Sequence, residues 1–154
     1  MERLLPFAAR AGDLLKRRNA TLSVAESSAG GLISASLLAV PGASAYFLGG
    51  GVVYTRVSRE AMLAMPREEI IPSSEESALF LARAARTRLG ADWGLAETGA
   101  AGPTGPAGRS FIAVSGPIEV SRRLETGIQD RWENMLLFSE ETLTLLADTL
   151  DALG

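Results

Sequence analysis

Between Glu26 and Arg56 the chain carries no charged side chain. An uncharged run of that length has to be buried, either in a membrane or in a protein core. Gly30-Gly31, Pro41-Gly42 and Gly49-Gly50-Gly51, together with five serines, interrupt it. No piece reaches the roughly 20 apolar residues that span about 30 Å of hydrocarbon. The run therefore reads as a buried strand–helix–strand unit and not as a membrane span. Met1 to Pro6 lacks the pattern of a signal peptide, so the cytoplasm is the expected location.

The rest of the chain alternates in the same manner. Leu4, Phe7, Ala8, Ala11, Leu14 and Leu15 recur at helical spacing over residues 3–18, and Asn19 ends that helix. Residues 21–25 alternate as a short strand, 32–40 read as a buried helix stopped by Pro41-Gly42, and 46–55 as a strand. The glycines of that strand point to a bulge or to close approach of another backbone or a ligand. Residues 58–65 suit a short helix. Ser73-Ser74-Glu75-Glu76 opens a longer one that ends at Gly90. A strand over 93–97, a small-residue loop over 99–108, a hairpin of 110–114 with 118–124, and a helix capped near Asp130 complete the chain. This succession predicts an α/β fold: a single three-layer α/β/α domain over residues 1–154, with a mixed, mostly parallel sheet.

Composition removes whole classes of chemistry. With no cysteine and no histidine there is no disulfide, no zinc site of the usual kind, no cysteine nucleophile and no Ser-His-Asp triad. Of the 15 basic residues only Lys16 is a lysine. Acid–base work falls to Asp, Glu, Tyr or that lysine. A net charge of −3 gives no basis for non-specific nucleic-acid binding. The cations of Lys16-Arg17-Arg18 read as the solvated end of a helix.

Three segments carry a resemblance. Ala25-Glu26-Ser27-Ser28-Ala29-Gly30-Gly31 matches a motif of the form AESxTGG. Pro41-Gly42-Ala43-Ser44-Ala45-Tyr46-Phe47 with Gly51-Val52-Val53-Tyr54-Thr55 matches GSSxxF…GxVxYxN. Thr98-Gly99-Ala100-Ala101-Gly102-Pro103 matches SGIAGP. Together, in order and at similar spacing, they make the chain similar to the CinA C-terminal domain family, the PncC-type nicotinamide mononucleotide amidohydrolases. The resemblance implies a serine nucleophile at Ser44 attacking a carboxamide, assisted by a lysine a few residues beyond the tyrosine. That lysine position is Arg59, and arginine cannot act as a base. The family's GDRxxVR stretch survives as Asp130-Arg131, with Met135 at the second arginine, and the segment after the SGIAGP-like loop is shortened to residues 104–108.

The candidate site follows. Ser44, Tyr54 and Arg59 are the expected catalytic set: Tyr54 or a buried Glu26 to take the serine proton, Arg59 to lower the phenol pKa or hold an oxyanion. Glu26, Ser27, Ser28, Gly30, Gly31, Thr98, Gly99, Gly102 and Arg131 are expected to bind substrate. Gly30-Gly31 offers backbone N–H groups at a helix start, and the 98–103 loop lies at a strand end. Bland readings stand beside these. Ser44 is also an ordinary residue after Pro-Gly, Gly30-Gly31 a plain turn, and Arg131 a partner for Asp130 or Glu133. No metal and no cofactor are implied. The expected partner is a small phosphorylated nucleotide; nucleic acid and membrane are not expected, and the apolar stretches are expected to support a homo-oligomer. The alternatives to a carboxamide hydrolase are a catalytically inactive nucleotide- or small-anion-binding domain, or another hydrolase or transferase in which Arg59 binds carboxylate or phosphate.

Overall fold

The computed structural model describes residues 1–154. Its elements are α1 (Leu5–Arg18), β1 (Leu22–Glu26), α2 (Leu32–Leu38), β2 (Phe47–Val52), α3 (Arg56–Leu63), α4 (Glu75–Leu89), β3 (Trp93–Ala100), β4 (Arg109–Ser115), β5 (Glu119–Glu125) and α5 (Arg131–Ala152). One five-stranded sheet has the order β2-β1-β3-β4-β5. β1 pairs in parallel with β2 and β3, while β4 is antiparallel to both β3 and β5. Four strands thus run one way and only β4 reverses, which is the mixed, mostly parallel sheet expected. No helix is long and apolar enough to cross a membrane.

Strand alternation sorts the sheet into two unequal faces. Leu22, Val24, Trp93, Leu95, Ile112 and Val114 pack with residues of α1, α2 and α5 such as Leu15, Ile33, Phe138 and Leu146. The intervening Ala25, Ala96 and Ala113 pack with Ala78, Leu81, Ala82 and Ala85 of α4. Period-2 alternation of large and small residues therefore makes one thick and one thin layer. At Gly94 a Cβ would stand 2.0 Å from the Ala82 carbonyl oxygen, so α4 lies almost on the sheet backbone.

Local signals behave as read. Asn19 and Gly90 take the left-handed conformation that ends α1 and α4, and the Ser74 hydroxyl accepts from the Ser77 amide at the start of α4. Boundaries differ where side chains intervene. α3 begins at Arg56 because the Thr55 hydroxyl caps the Ser58 amide. Ala43–Ala45 forms a 3-10 turn, so β2 begins at Phe47, and its pairing with β1 is irregular between Leu22 and Ser23. β3 runs on to Ala100, which makes Thr98 and Gly99 strand residues and not loop residues.

Candidate functional site

From β1 the chain crosses through α2 to β2 on one side; from β2 it returns through α3 and α4 to β3 on the other. The order reverses between β1 and β3, and the crevice at their carboxyl ends is where open α/β sheets hold ligands. Glu26 and Glu97 end up paired across that point in adjacent strands. Both are fully buried.

The two carboxylates are internal scaffolding. Glu26 accepts from the Gly31, Ile33 and Ser34 amides at 2.9, 3.1 and 2.8 Å and from the Ser34 hydroxyl at 2.7 Å. It thereby fills the N-terminal cradle of α2 that Gly30-Gly31 had suggested for a phosphate, so the amides of that cradle are engaged within the chain. Glu97 accepts from the Ser27 and Ala29 amides at 3.2 and 2.8 Å, from the Ser110 hydroxyl at 2.8 Å and from the Ser28 hydroxyl. Burial pushes both carboxyls above the usual range, and these hydrogen bonds work against that shift. With its hydroxyl on Glu97, Ser28 orients the turn from inside.

Arg59 is the buried cation of this end, 8% exposed. Its Nε donates to the Val53 carbonyl at 3.1 Å and its Nη2 to Thr98 Oγ1 at 3.0 Å. Thr98 Oγ1 in turn lies 2.9 Å from the Ser73 hydroxyl. Burial lowers the guanidinium pKa, Glu97 opposes that, and Arg56 adds repulsion. Ser73, Gly99, Ala100, Pro106, Arg109 and Phe111 line a cleft of about 310 Å³ beside this chain of hydrogen bonds. Arg131 donates from Nη1 to the Gly102 carbonyl at 2.5 Å and from Nη2 to the Tyr54 hydroxyl at 3.3 Å. It thus ties the loop after β3 to the segment after β2, a third outcome beside the two weighed for it. Met135 sits over Gly30, whose Cβ would meet the methionine methyl at 2.7 Å.

Glu26, Ser27, Ser28, Gly30, Gly31, Tyr54, Arg59, Thr98, Gly99, Gly102 and Arg131 therefore gather at the carboxyl end of the sheet. Ser44 does not join them. It is exposed on the 3-10 turn before β2, at the opposite end of the strand from Tyr54 and Arg59. Lys16, not Tyr54, stands near its turn: the ammonium donates to the Pro41 carbonyl at 2.7 Å and lies 3.2 Å from where a Gly42 Cβ would be. Ser73 and Asn134 were missed in the sequence. Asn134 is fully buried, donates to the Ala101 and Ile128 carbonyls at 2.8 Å and accepts from Thr126, so it holds the loops around the cleft. The motif signal at Asp130-Arg131 was the one available pointer to it.

Comparison with known proteins places this arrangement. The family model described as the CinA C-terminal domain matches residues 5–150. A CinA-like protein of Parasynechococcus marenigrum is 44% identical over 112 residues, covering 68% of this chain and 27% of its own length. A CinA-like protein of Myxococcus xanthus is 38% identical over 156 residues, covering 94% of this chain and 36% of its own length. The chain thus spans about a third or less of the curated relatives it matches. The crystal structure of the competence/damage inducible protein CihA from Agrobacterium tumefaciens superposes with a TM-score of 0.88 at 28% identity, covering 97% of this chain and 96% of that one. A CinA superfamily protein from Klebsiella pneumoniae has the same fold, with a TM-score of 0.88 at 24% identity over 96% of this chain and 97% of that one.

Proposed function

The chain belongs to the CinA C-terminal domain family, and from that premise we propose that it is an amidohydrolase that removes ammonia from the carboxamide of a nicotinamide mononucleotide-like pyridine nucleotide. The observation that carries the reading is the buried Arg59 at the sheet's reversal point. Only two of its five donors are engaged by Val53 and Thr98. With Arg56 near enough to perturb it and Arg131 bonded to Tyr54, it brings guanidinium groups to this end that suit a phosphorylated substrate.

In this reading Ser44, at the far end of β2, is not the nucleophile; a serine hydroxyl at the carboxyl end of the sheet, where Ser27 lies, attacks the carboxamide carbon and passes its proton through water to the leaving nitrogen, and the tetrahedral oxyanion is held by guanidinium and phenol donors from Arg59 and Tyr54. Collapse expels ammonia, and water then releases the carboxylate product from the serine ester. Thr98 and Gly102 position the nucleotide: Thr98 through the Arg59–Thr98–Ser73 chain and Gly102 through the carbonyl that anchors Arg131. A second reading, a nucleotide-binding domain without turnover, draws support from Arg59 in the lysine position and from Met135 packed on Gly30.

The test is ammonia release from nicotinamide mononucleotide by the purified protein beside Ser27→Ala. Release that disappears in the variant supports the hydrolase. A nucleotide-induced rise in melting temperature without release supports the binding domain. Neither signal would remove this substrate class altogether.

A further inference from the structure

Thr98 Oγ1 has two partners: Arg59 Nη2 at 3.0 Å and the Ser73 hydroxyl at 2.9 Å. Guanidinium nitrogens only donate, so towards Arg59 the threonine oxygen is an acceptor. Its own proton then needs an acceptor, and Thr98 is 1% exposed, out of reach of solvent. The Ser73 oxygen is the group placed to take it. A buried hydroxyl proton left unpaired is costly, and this fixes the direction of the chain as Arg59 to Thr98 to Ser73. Ser73 is exposed and is left with its own proton free, polarised by the guanidinium at the head of the chain.

That free donor stands in the wall of the cleft of about 310 Å³. Thr98 pairs opposite Phe111 and Ala100 opposite Arg109 across β3 and β4. Strand alternation puts all four on the face that α4 covers. The short Ala100 beside the long Arg109 leaves the floor of the cleft open, while Phe111 and Pro106 give it flat apolar walls. Arg109 donates from Nε to Glu125 at 2.6 Å, and its two Nη groups donate to nothing in the chain. Glu125 also accepts from Arg123 at 2.6 and 3.1 Å, so one carboxylate serves two guanidinium groups. No acidic side chain lines the cleft; Glu75, at the start of α4, holds the Ser121 hydroxyl and takes no part in it. The cleft therefore offers donors from Ser73 and Arg109, flat apolar walls and no carboxylate.

We propose that this cleft binds the carboxylate of a flat-ring organic acid, with the Ser73 hydroxyl and an Arg109 Nη as donors and the ring against Phe111. A carboxylate accepts at both oxygens. A carboxamide of the same shape turns an amino group towards one of the two donors and leaves it unpaired, so the cleft separates acid from amide. Its volume is at the small end for ligand clefts and suits one ring with its substituent. The carboxylate site does not rest on the amidohydrolase reading. One consequence does: the acid is then the group that the reaction creates, and product competes with substrate for the cleft.

Nicotinate and nicotinamide differ only in this group and serve as the probes. Each is titrated into the whole protein by calorimetry at neutral pH. Nicotinate is expected to bind about tenfold tighter or more, as an unpaired charged donor implies. Ser73→Ala, at an exposed position outside the cap of α4, is expected to weaken nicotinate about fivefold or more, and Ser73→Thr to restore it. Thr98→Val leaves the Ser73 hydroxyl in place and removes what orients it, so it is expected to weaken nicotinate as well. A merely structural role of Ser73 would lower the melting temperature without separating acid from amide. Equal affinity for the two probes, no nicotinate binding, nicotinate binding unchanged by Ser73→Ala, or displacement of nicotinate by a lower concentration of inorganic phosphate overturns the carboxylate site. Selective nicotinate binding without ammonia release from nicotinamide mononucleotide leaves the site and removes the amidohydrolase reading; ammonia release without nicotinate binding does the reverse.

Discussion

Arg59 donates from Nη2 to Thr98 Oγ1 at 3.0 Å, which joins the start of α3 to the end of β3 across the candidate site. Thr98 is 1% exposed, so nothing from solvent replaces its oxygen. Thr98→Val keeps the shape and removes the acceptor. The expected cost is about 1–3 kcal/mol, that of leaving a charged donor unpaired. Urea denaturation measures it, and an unchanged midpoint would show that the contact does not stabilise the fold.

Arg59→Lys restores a titratable amine at the position where arginine cannot accept a proton. If ammonia release is limited by the missing base, the rate rises by about 10²-fold or more, within the 10²–10⁴ range of general-base catalysis. A fall in rate would assign the guanidinium fork itself to the oxyanion or substrate. Steady-state kinetics with nicotinamide mononucleotide decide between the two.

Glu26 supplies the acceptor for three amides at the start of α2. Glu26→Ala orphans them in the interior and is expected to destabilise the protein by about 2–4 kcal/mol. Formate, small enough to occupy the vacated carboxylate position, is expected to raise the melting temperature of the variant and not that of the wild type. Equal shifts in both would show that the cradle does not capture the anion.

Gly94→Ala puts a methyl where the Ala82 carbonyl oxygen stands 2.0 Å away. Neither the strand nor α4 has a flexible end there to give way. A loss of about 3 kcal/mol or more is expected, at the severe end of overpacking. A melting temperature within a few degrees of wild type would mean that α4 shifts freely on the sheet.

Arg83 and Ser115 hold the Glu119 carboxyl down to about 2. A depressed pKa contributes stability above the unfolded value near 4.5, lost as pH falls toward about 2. Wild type is therefore expected to exceed Glu119→Gln in melting temperature above pH 4.5, with the gap closing toward pH 2; because the pair is partly exposed, about 1 kcal/mol is the ceiling. Glu26 and Glu97 act in the opposite sense: their raised pKa values give stability below the ordinary carboxyl range that is lost as pH rises through their folded values. A gap that is the same at every pH would show that Glu119 does not titrate as paired.

What the sequence determined by itself is what neighbours along the chain decide. Helical spacing in residues 3–18, the serine at the start of α4, the left-handed ends at Asn19 and Gly90, and the uncharged run from 27 to 55 all act over a few residues, where backbone sterics and burial leave little choice. The motifs likewise marked the segments that gather at the carboxyl end of the sheet. Which groups meet there was decided only by tertiary structure. Glu26 turned back on its own helix, Glu97 collected donors from two distant segments, Thr98 became a strand residue between Arg59 and Ser73, and Ser44 went to the far end of β2. Hydrogen bonds in a low-dielectric interior depend on positions set by strand order and register, and neither is written in the spacing of one segment.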